Sequence, residues 1–71
     1  MNYQQLLFDL ANEKLQTNQL MVETIMDVLE CSRDAAYRRL QGRTELSLNE
    51  AIKVAEHFGI SLNEVRPIEN T

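Results

Sequence analysis

Residues 22–42 carry the sequence VETIMDVLECSRDAAYRRLQG, in which two helical patterns stand only three residues apart. The first pattern predicts a helix over about residues 20–30 from apolar residues that share one face: Val22, Ile25, Met26 and Leu29. The second predicts a helix over about 33–41, with Ser32 as its N-cap and Gly42 as its left-handed stop. Because so short a connection prevents a long antiparallel pair, we expect the two helices to cross steeply, with one turned outward.

A further helix is predicted before this pair, over about residues 3–15. Its apolar face consists of Tyr3, Leu6, Leu7, Leu10 and Ala11. Asn2 and Gln5 have the spacing of a capping box at its start. After it, Thr17 and Asn18 offer a break and an N-cap for the helix over 20–30.

Two capping boxes follow the central pair. Ser47 and Glu50 precede a pattern that predicts a helix over about 48–58, and Gly59 is its C-terminal stop. A short last helix over about 62–66 is predicted from three further residues: Ser61 and Glu64 at its start, and Pro67 after its end.

Length and composition favour one helical domain. A chain of 71 residues is too short to divide its buried surface between two cores, so residues 1–71 are expected to form a single domain. With 44% hydrophobic and 25% charged residues, two glycines and one proline, it is too apolar for a disordered tail and too poor in turn residues for an all-β fold. The expected fold class is a compact all-α domain of four to five helices.

The chain lacks the sequence marks of a metal site, a disulfide or a membrane protein. Cys31 is its single cysteine, which we interpret as a structural thiol, and His57 has no second ligand at metal-binding spacing. No apolar run is long enough for a membrane span, and the amino terminus has no signal-peptide pattern. We therefore expect a cytoplasmic protein with no cofactor, no metal and no membrane contact.

Positive charge is concentrated in one segment. The formal net charge is −4, yet residues 33–43 carry four arginines against one acid, which leaves −7 on the rest of the chain. Such a distribution favours binding of a polyanion in one orientation. A solvated helix face is the simpler explanation of an arginine cluster, and the surrounding pattern has to decide between the two.

The predicted helix over 33–41 separates an apolar face from a polar one. Ala36 and Leu40 share the inner face, whereas Asp34, Arg38 and Gln41 point the opposite way. A major groove admits one α-helix, and arginine matches the two acceptors of guanine. The candidate DNA-binding residues are therefore Ser32, Arg33, Asp34, Tyr37, Arg38, Arg39, Gln41 and Arg43.

These candidates divide by role. Arg33 and Arg38 are the favoured base readers, while Arg39 and Arg43 are better placed to neutralise phosphates. Asp34 could accept a hydrogen bond from cytosine or hold a neighbouring arginine, and both roles stay open. The hydroxyls of two further candidates can reach phosphates: that of the capping residue Ser32, and that of Tyr37, for which a place at the core edge is the simpler interpretation.

Two stretches of the chain resemble a known family. Residues 25–42, with Ser32 before the arginine-rich helix and Gly42 after it, and residues 48–62, ending in FGISL, are similar to the Xre-type, lambda-repressor-like helix-turn-helix family. This resemblance implies a five-helix domain that binds operator DNA as a homodimer, with its third helix in the major groove. The family's base-reading positions fall on Arg33, Asp34 and Arg38.

The chain departs from the family pattern at four positions. Met26 replaces a small residue, Glu30 replaces the glycine of the turn, and Arg39 falls on an apolar position whose packing Leu40 could supply. The polar phosphate-binding residue of many members falls on Val22, for which Gln19 is the nearest substitute. The crossing of the helices and that phosphate contact are therefore open.

Three classes of function can be compared. No nucleophile and base, glycine-rich phosphate loop or metal cluster is recognisable, so we expect neither an enzyme nor a small-molecule substrate. The favoured function is sequence-specific binding of double-stranded DNA as a transcriptional regulator. The alternative is a protein interaction module, antitoxin-like or regulator-binding, that does not contact DNA.

Overall fold

The computed structural model describes residues 2–61, and within them the chain forms four α-helices and no strand. The helices are α1 (Tyr3–Glu13), α2 (Met21–Leu29), α3 (Arg33–Leu40) and α4 (Leu48–Phe58). The all-α prediction is confirmed for this part of the chain. The helix predicted over 62–66 lies outside the described residues.

Local capping groups set the bounds of α3 and α4. The Ser32 hydroxyl oxygen accepts a hydrogen bond from the Ala35 N–H at 3.1 Å, and Gly42 follows α3 with a φ of 77°. At the start of α4, Ser47 and Glu50 form both hydrogen bonds of the capping box. Gly59 ends that helix with a φ of 68°. These sequence predictions are confirmed.

The start of α1 has only half of its predicted capping box. The Asn2 side chain accepts a hydrogen bond from the Gln5 N–H at 2.8 Å. The Gln5 side chain does not reach back, because its amide donates to Asp9, one turn further along, at 3.0 Å. The helix ends at Glu13, two residues before the predicted end.

The predicted N-cap of α2 at Thr17 and Asn18 is wrong. The helix begins after Leu20, which has extended backbone and makes no side-chain capping bond. A turn separates the two helices instead, since the Gln19 side chain accepts from the Gln16 N–H and the Gln19 N–H donates to the Gln16 carbonyl. This turn keeps residues 17 and 18 out of α2.

The core lies where α2 packs against α3 and α4, and where α1 packs against α4. The buried apolar residues among those described are Leu7, Phe8, Ala11, Val22, Ile25, Ala36, Val54, Ala55 and Ile60. Only one of them, Ala36, belongs to α3. That helix is therefore attached through a small side chain, with Leu40 half-buried beside it.

The link from α2 to α3 contains a non-glycine residue in the left-handed region. Glu30 has a φ of 53° and a ψ of 49°, a conformation that costs an L-residue about 1 kcal/mol. The Cys31 N–H then donates to the Met26 carbonyl at 3.1 Å. This closure of α2 allows the chain to enter α3 after two further residues.

None of the described helices is long and apolar enough to cross a membrane.

Candidate nucleic-acid interface

The outer face of α3 and the loop after it carry most of the candidate residues. Ala36 is fully buried, while Asp34, Arg38 and Gln41 are exposed, as the helical spacing predicts. Tyr37 lies at the margin with about 44% of its surface exposed. The helix thus presents a polar, arginine-bearing face to solvent and keeps its apolar face inside.

The two favoured base readers are exposed but lie near carboxylates. Arg33 Nη2 is 3.3 Å from Glu23 Oε2, and the Arg33 side chain is 51% exposed. Arg38 Nη1 is 3.7 Å from Asp34 Oδ2, one helical turn away, and its side chain is 46% exposed. Ion pairs this exposed contribute about 0–1 kcal/mol, so both guanidinium groups can exchange partners at little cost.

Arg39 is placed differently from the sequence-based expectation of a phosphate contact. Its guanidinium turns inward, donates to both carboxylate oxygens of Glu50 at 3.2 and 3.4 Å, and also donates to the Ala35 carbonyl at 3.0 Å. Only 17% of the side chain is exposed. The guanidinium of Arg39 thus joins α3 to the start of α4.

The environment of Glu50 keeps this inner ion pair charged. The backbone N–H of Ser47 lowers the pKa of Glu50, partial burial raises it, and the hydrogen bond and charge of Arg39 lower it further. The net effect is a pKa below the ordinary value of a glutamate. Glu50 is thus charged at neutral pH, as an ordinary glutamate is, and its two oxygens together with the Ala35 carbonyl hold the Arg39 guanidinium inside.

Arg43 lies in the loop that follows α3. Its backbone N–H donates to the Arg38 carbonyl at 2.8 Å, and its Nη1 donates to the Gln41 side chain at 3.3 Å. Within residues 2–61, no carboxylate is at ion-pair distance from its guanidinium. Its charge is therefore the least compensated of the four arginines in this segment.

Acidic side chains border the candidate interface on α2. Glu23, Asp27 and Glu30 are all exposed, as expected for a solvated row. Glu23 is the member of this row that contacts an arginine, through its hydrogen bond from Arg33. A polyanion that approaches α3 would meet repulsion from this side, which restricts the orientations in which it can bind.

The residues not assigned to the interface have ordinary surroundings. The exposed His57 ring packs edge-on against Phe58, with ring centroids 4.9 Å apart, and Cys31 is half-buried in the link between α2 and α3. In the part of the chain that the structure describes, no three potential metal ligands come together.

Sequence reasoning did not find Gln4, which supports the candidate interface from α1. Its side-chain amide donates to the carbonyls of Arg39 and Thr44 at 2.8 and 2.9 Å, and its oxygen accepts from the Leu46 N–H at 2.8 Å. No local motif marks such a residue, because its partners are 35 to 42 positions away. Its place one helical turn before Leu7, at the edge of the predicted apolar face, was the only signal in the sequence.

Comparisons with protein-family models, with curated proteins and with solved structures gave no match to this chain.

Proposed function

We propose that this chain is a sequence-specific DNA-binding domain of a cytoplasmic transcriptional regulator, with α2 and α3 as a helix-turn-helix of the lambda-repressor-like type. In this proposal α3 lies in the major groove of double-stranded DNA. The observation that carries it is the division of α3: Ala36 is buried, while Arg33 and Arg38 are exposed on the outer side. The role proposed is binding rather than catalysis.

Electrostatics favours a change of partner for Arg33 and Arg38 when DNA binds, from carboxylates to bases or phosphates. The two exposed ion pairs are weak in water, while a guanidinium that reaches guanine or phosphate makes charge-assisted bidentate hydrogen bonds. Each good bidentate pair with a base contributes about 1–3 kcal/mol of discrimination. In the free protein, Glu23 and Asp34 thus hold Arg33 and Arg38 near the positions from which they would read bases.

The remaining contacts are assigned by position. Arg43 and the hydroxyls of Ser32 and Tyr37 would contact phosphates, and Gln41 lies at the exposed end of the reading face. Asp34 lies 3.7 Å from Arg38, which favours the role of holding that arginine over the role of reading cytosine. Arg39 is left out of the interface because it is held by Glu50.

A single recognition helix discriminates poorly, so we propose that two copies bind together. Half-sites one helical turn apart, about 34–36 Å, would then be read by the two α3 helices of a homodimer. The DNA site would be a palindrome or close to one.

Titration of the protein with duplex DNA at increasing salt tests the proposal. Duplexes are first selected from a random pool, and the affinity for the selected sequence is then measured by fluorescence anisotropy. We expect the logarithm of the association constant to fall with the logarithm of salt concentration with a slope of roughly −3 to −5 per protomer, as for a few neutralised phosphates. Absence of binding at 50 mM salt, or a flat titration, would exclude DNA as the partner.

A protein interaction module is the second candidate, and one observation favours it. Leu48 is 75% exposed and Tyr3 is 55% exposed. Both line a groove of about 500 Å³ between the start of α1 and the start of α4. If this groove bound a protein partner and DNA did not bind, Leu48→Ser would abolish partner binding while Arg38→Ala would not.

A further inference from the structure

Gln4 makes three hydrogen bonds that join α1 to the end of α3 and to the loop before α4. Its Nε2 donates to the Arg39 carbonyl at 2.8 Å and to the Thr44 carbonyl at 2.9 Å. Its Oε1 accepts from the Leu46 N–H at 2.8 Å. Both functions of this half-buried amide, the Nε2 donor and the Oε1 acceptor, thus have backbone partners in α3 or in the loop.

Arg43 lies between the backbone groups that Gln4 holds. Gln4 fixes Arg39 on one side of it and Thr44 on the other. The Arg43 and Thr44 N–H groups both donate to the Arg38 carbonyl, at 2.8 and 3.2 Å. The loop is therefore held from α1 and from α3 at once, and the direction in which the Arg43 side chain leaves the backbone is fixed.

The chemistry of this contact requires an amide. A primary amide supplies two N–H donors and one carbonyl acceptor from a single planar group, and Gln4 uses both functions. Glutamate has the same shape but offers only acceptors when ionised, so it would face the Arg39 and Thr44 carbonyls with a negative charge. Leucine fills similar space and makes none of the three bonds.

We infer that Gln4 is a positioning residue of the DNA interface: it holds the loop so that Arg43 meets a phosphate while α3 occupies the major groove. This inference rests on the proposed function. Gln4 itself touches no DNA in this arrangement, and its effect on binding passes through Arg43.

The test compares two neighbouring glutamines. Gln4→Leu removes the three loop contacts, whereas Gln5→Leu changes an exposed residue whose side chain donates only to Asp9 on its own helix. Affinity for the selected duplex is measured for both variants over a range of salt, at temperatures where melting curves show each variant folded. We expect Gln4→Leu to weaken binding about five- to tenfold at 0.1 M salt and to reduce the salt slope by about 1 per protomer, the effect of one lost phosphate contact. Gln5→Leu is expected to bind within about twofold of the original protein.

A double variant separates positioning from a general loss of stability. If Gln4 acts through Arg43, Arg43→Ala in the Gln4→Leu background will add less than about a twofold loss, because the contact is already gone. Losses that multiply in the double variant would overturn the inference. So would a Gln4→Leu protein that binds with the original affinity and slope.

A second pair covers the case in which Gln4→Leu does not fold. Gln4→Glu and Gln5→Glu change the net charge equally, so the difference between them reports what is specific to position 4: the lost donor contacts and the charge placed against the Arg39 and Thr44 carbonyls. We expect Gln4→Glu to bind several-fold more weakly than Gln5→Glu, and equal affinities would overturn the inference. If the unaltered protein binds no duplex at all, the proposed function itself fails, whereas equal binding by the Gln4 and Gln5 variants leaves that function standing.

Discussion

Neighbouring arginines of this chain have opposite surroundings. Arg38 is exposed and lies near an exposed aspartate, whereas Arg39 is held inside by Glu50 and the Ala35 carbonyl. Since the two follow each other on a helix, they point about 100° apart, which is enough to separate solvent from the α3–α4 contact. The same residue type thus stabilises the fold at one position and is available for recognition at the next.

The division between base and phosphate contacts is testable at single residues. Arg38→Ala is expected to relax sequence preference at one base pair of the site and to cost about 1–3 kcal/mol of binding free energy. Arg43→Ala is expected to weaken selected and unrelated duplexes alike, because a phosphate carries no sequence information. Selection from a random pool and anisotropy on both duplexes measure the two effects. Lys53→Ala, at an exposed position on α4, is the control for lost charge, and identical behaviour of the two arginine variants would contradict this division.

Glu30 stores backbone strain that glycine would relieve. Its φ of 53° lies in the region where glycine has no steric penalty. We expect Glu30→Gly to raise the free energy of unfolding by about 0.5–1 kcal/mol, which corresponds to several degrees in Tm for a domain of this size. Thermal melting followed by circular dichroism measures it. Glu30→Gln removes the charge but keeps the strain, so equal melting temperatures for the two variants would show that charge, not backbone conformation, is the cause.

At the scale of the helices, the contact between α3 and α4 depends on pH. Because the pKa of Glu50 is lowered in the folded chain, its ionisation stabilises the fold above the unfolded-state value of about 4.3. That stabilisation is lost as the pH falls through the lower, folded-state pKa. We expect Glu50→Gln to reduce the free energy of unfolding by about 1 kcal/mol at pH 7, and this difference to shrink steadily as the pH falls below about 4.3.

Denaturant titrations at a series of pH values measure this difference. Glu56→Gln is the matched control, because Glu56 is exposed on the same helix. A Glu50 effect of the same size at pH 3 as at pH 7 would mean that the ion pair with Arg39 does not contribute. The capping bond is largely preserved in this variant, since glutamine also serves in a capping box.

Helix positions follow from the sequence where the signals are local. The caps at Ser32 and Ser47 act on N–H groups three residues ahead, so a pattern of a few residues predicts them. The start of α2 near residue 20 was predicted correctly, but its N-cap was predicted wrongly at Thr17 and Asn18, because a glutamine turn over residues 16–19 competes with that cap. A cap favoured by residue type alone is overridden when a neighbouring side chain offers the backbone another partner.

The candidate interface was predictable only in part, and distance along the chain is the reason. Helical spacing separates Ala36 from Asp34 and Arg38, because that separation is a property of one helix. The inward turn of Arg39 depends on Glu50, eleven residues later, and the contacts of Gln4 depend on residues 35 to 42 positions later. Contacts of this kind have no spacing rule, so only the folded arrangement reveals them.

At the scale of the whole molecule, the described arginines are concentrated on α3 and its loop, while acidic residues are spread along the chain. The net charge is −4, and within the described residues Arg33, Arg38 and Arg39 each have a carboxylate within 4.0 Å. In the proposed complex a polyanion would therefore be attracted first by Arg43, which has no carboxylate at ion-pair distance within residues 2–61, and by Arg33 and Arg38 once they leave their exposed partners. This distribution opposes non-specific coating of DNA and favours a single docking orientation.

Ala36 is the only fully buried side chain of α3, and this has an evolutionary consequence. Substitution of the exposed residues of α3, such as Arg33, Asp34 and Arg38, leaves the buried methyl group of Ala36 and the side chains around it unchanged. If α3 reads DNA as proposed, new target preferences can accumulate on this helix without a matching rearrangement of the interior. The outer surface of such a helix can diversify while the contacts by which the chain folds are kept.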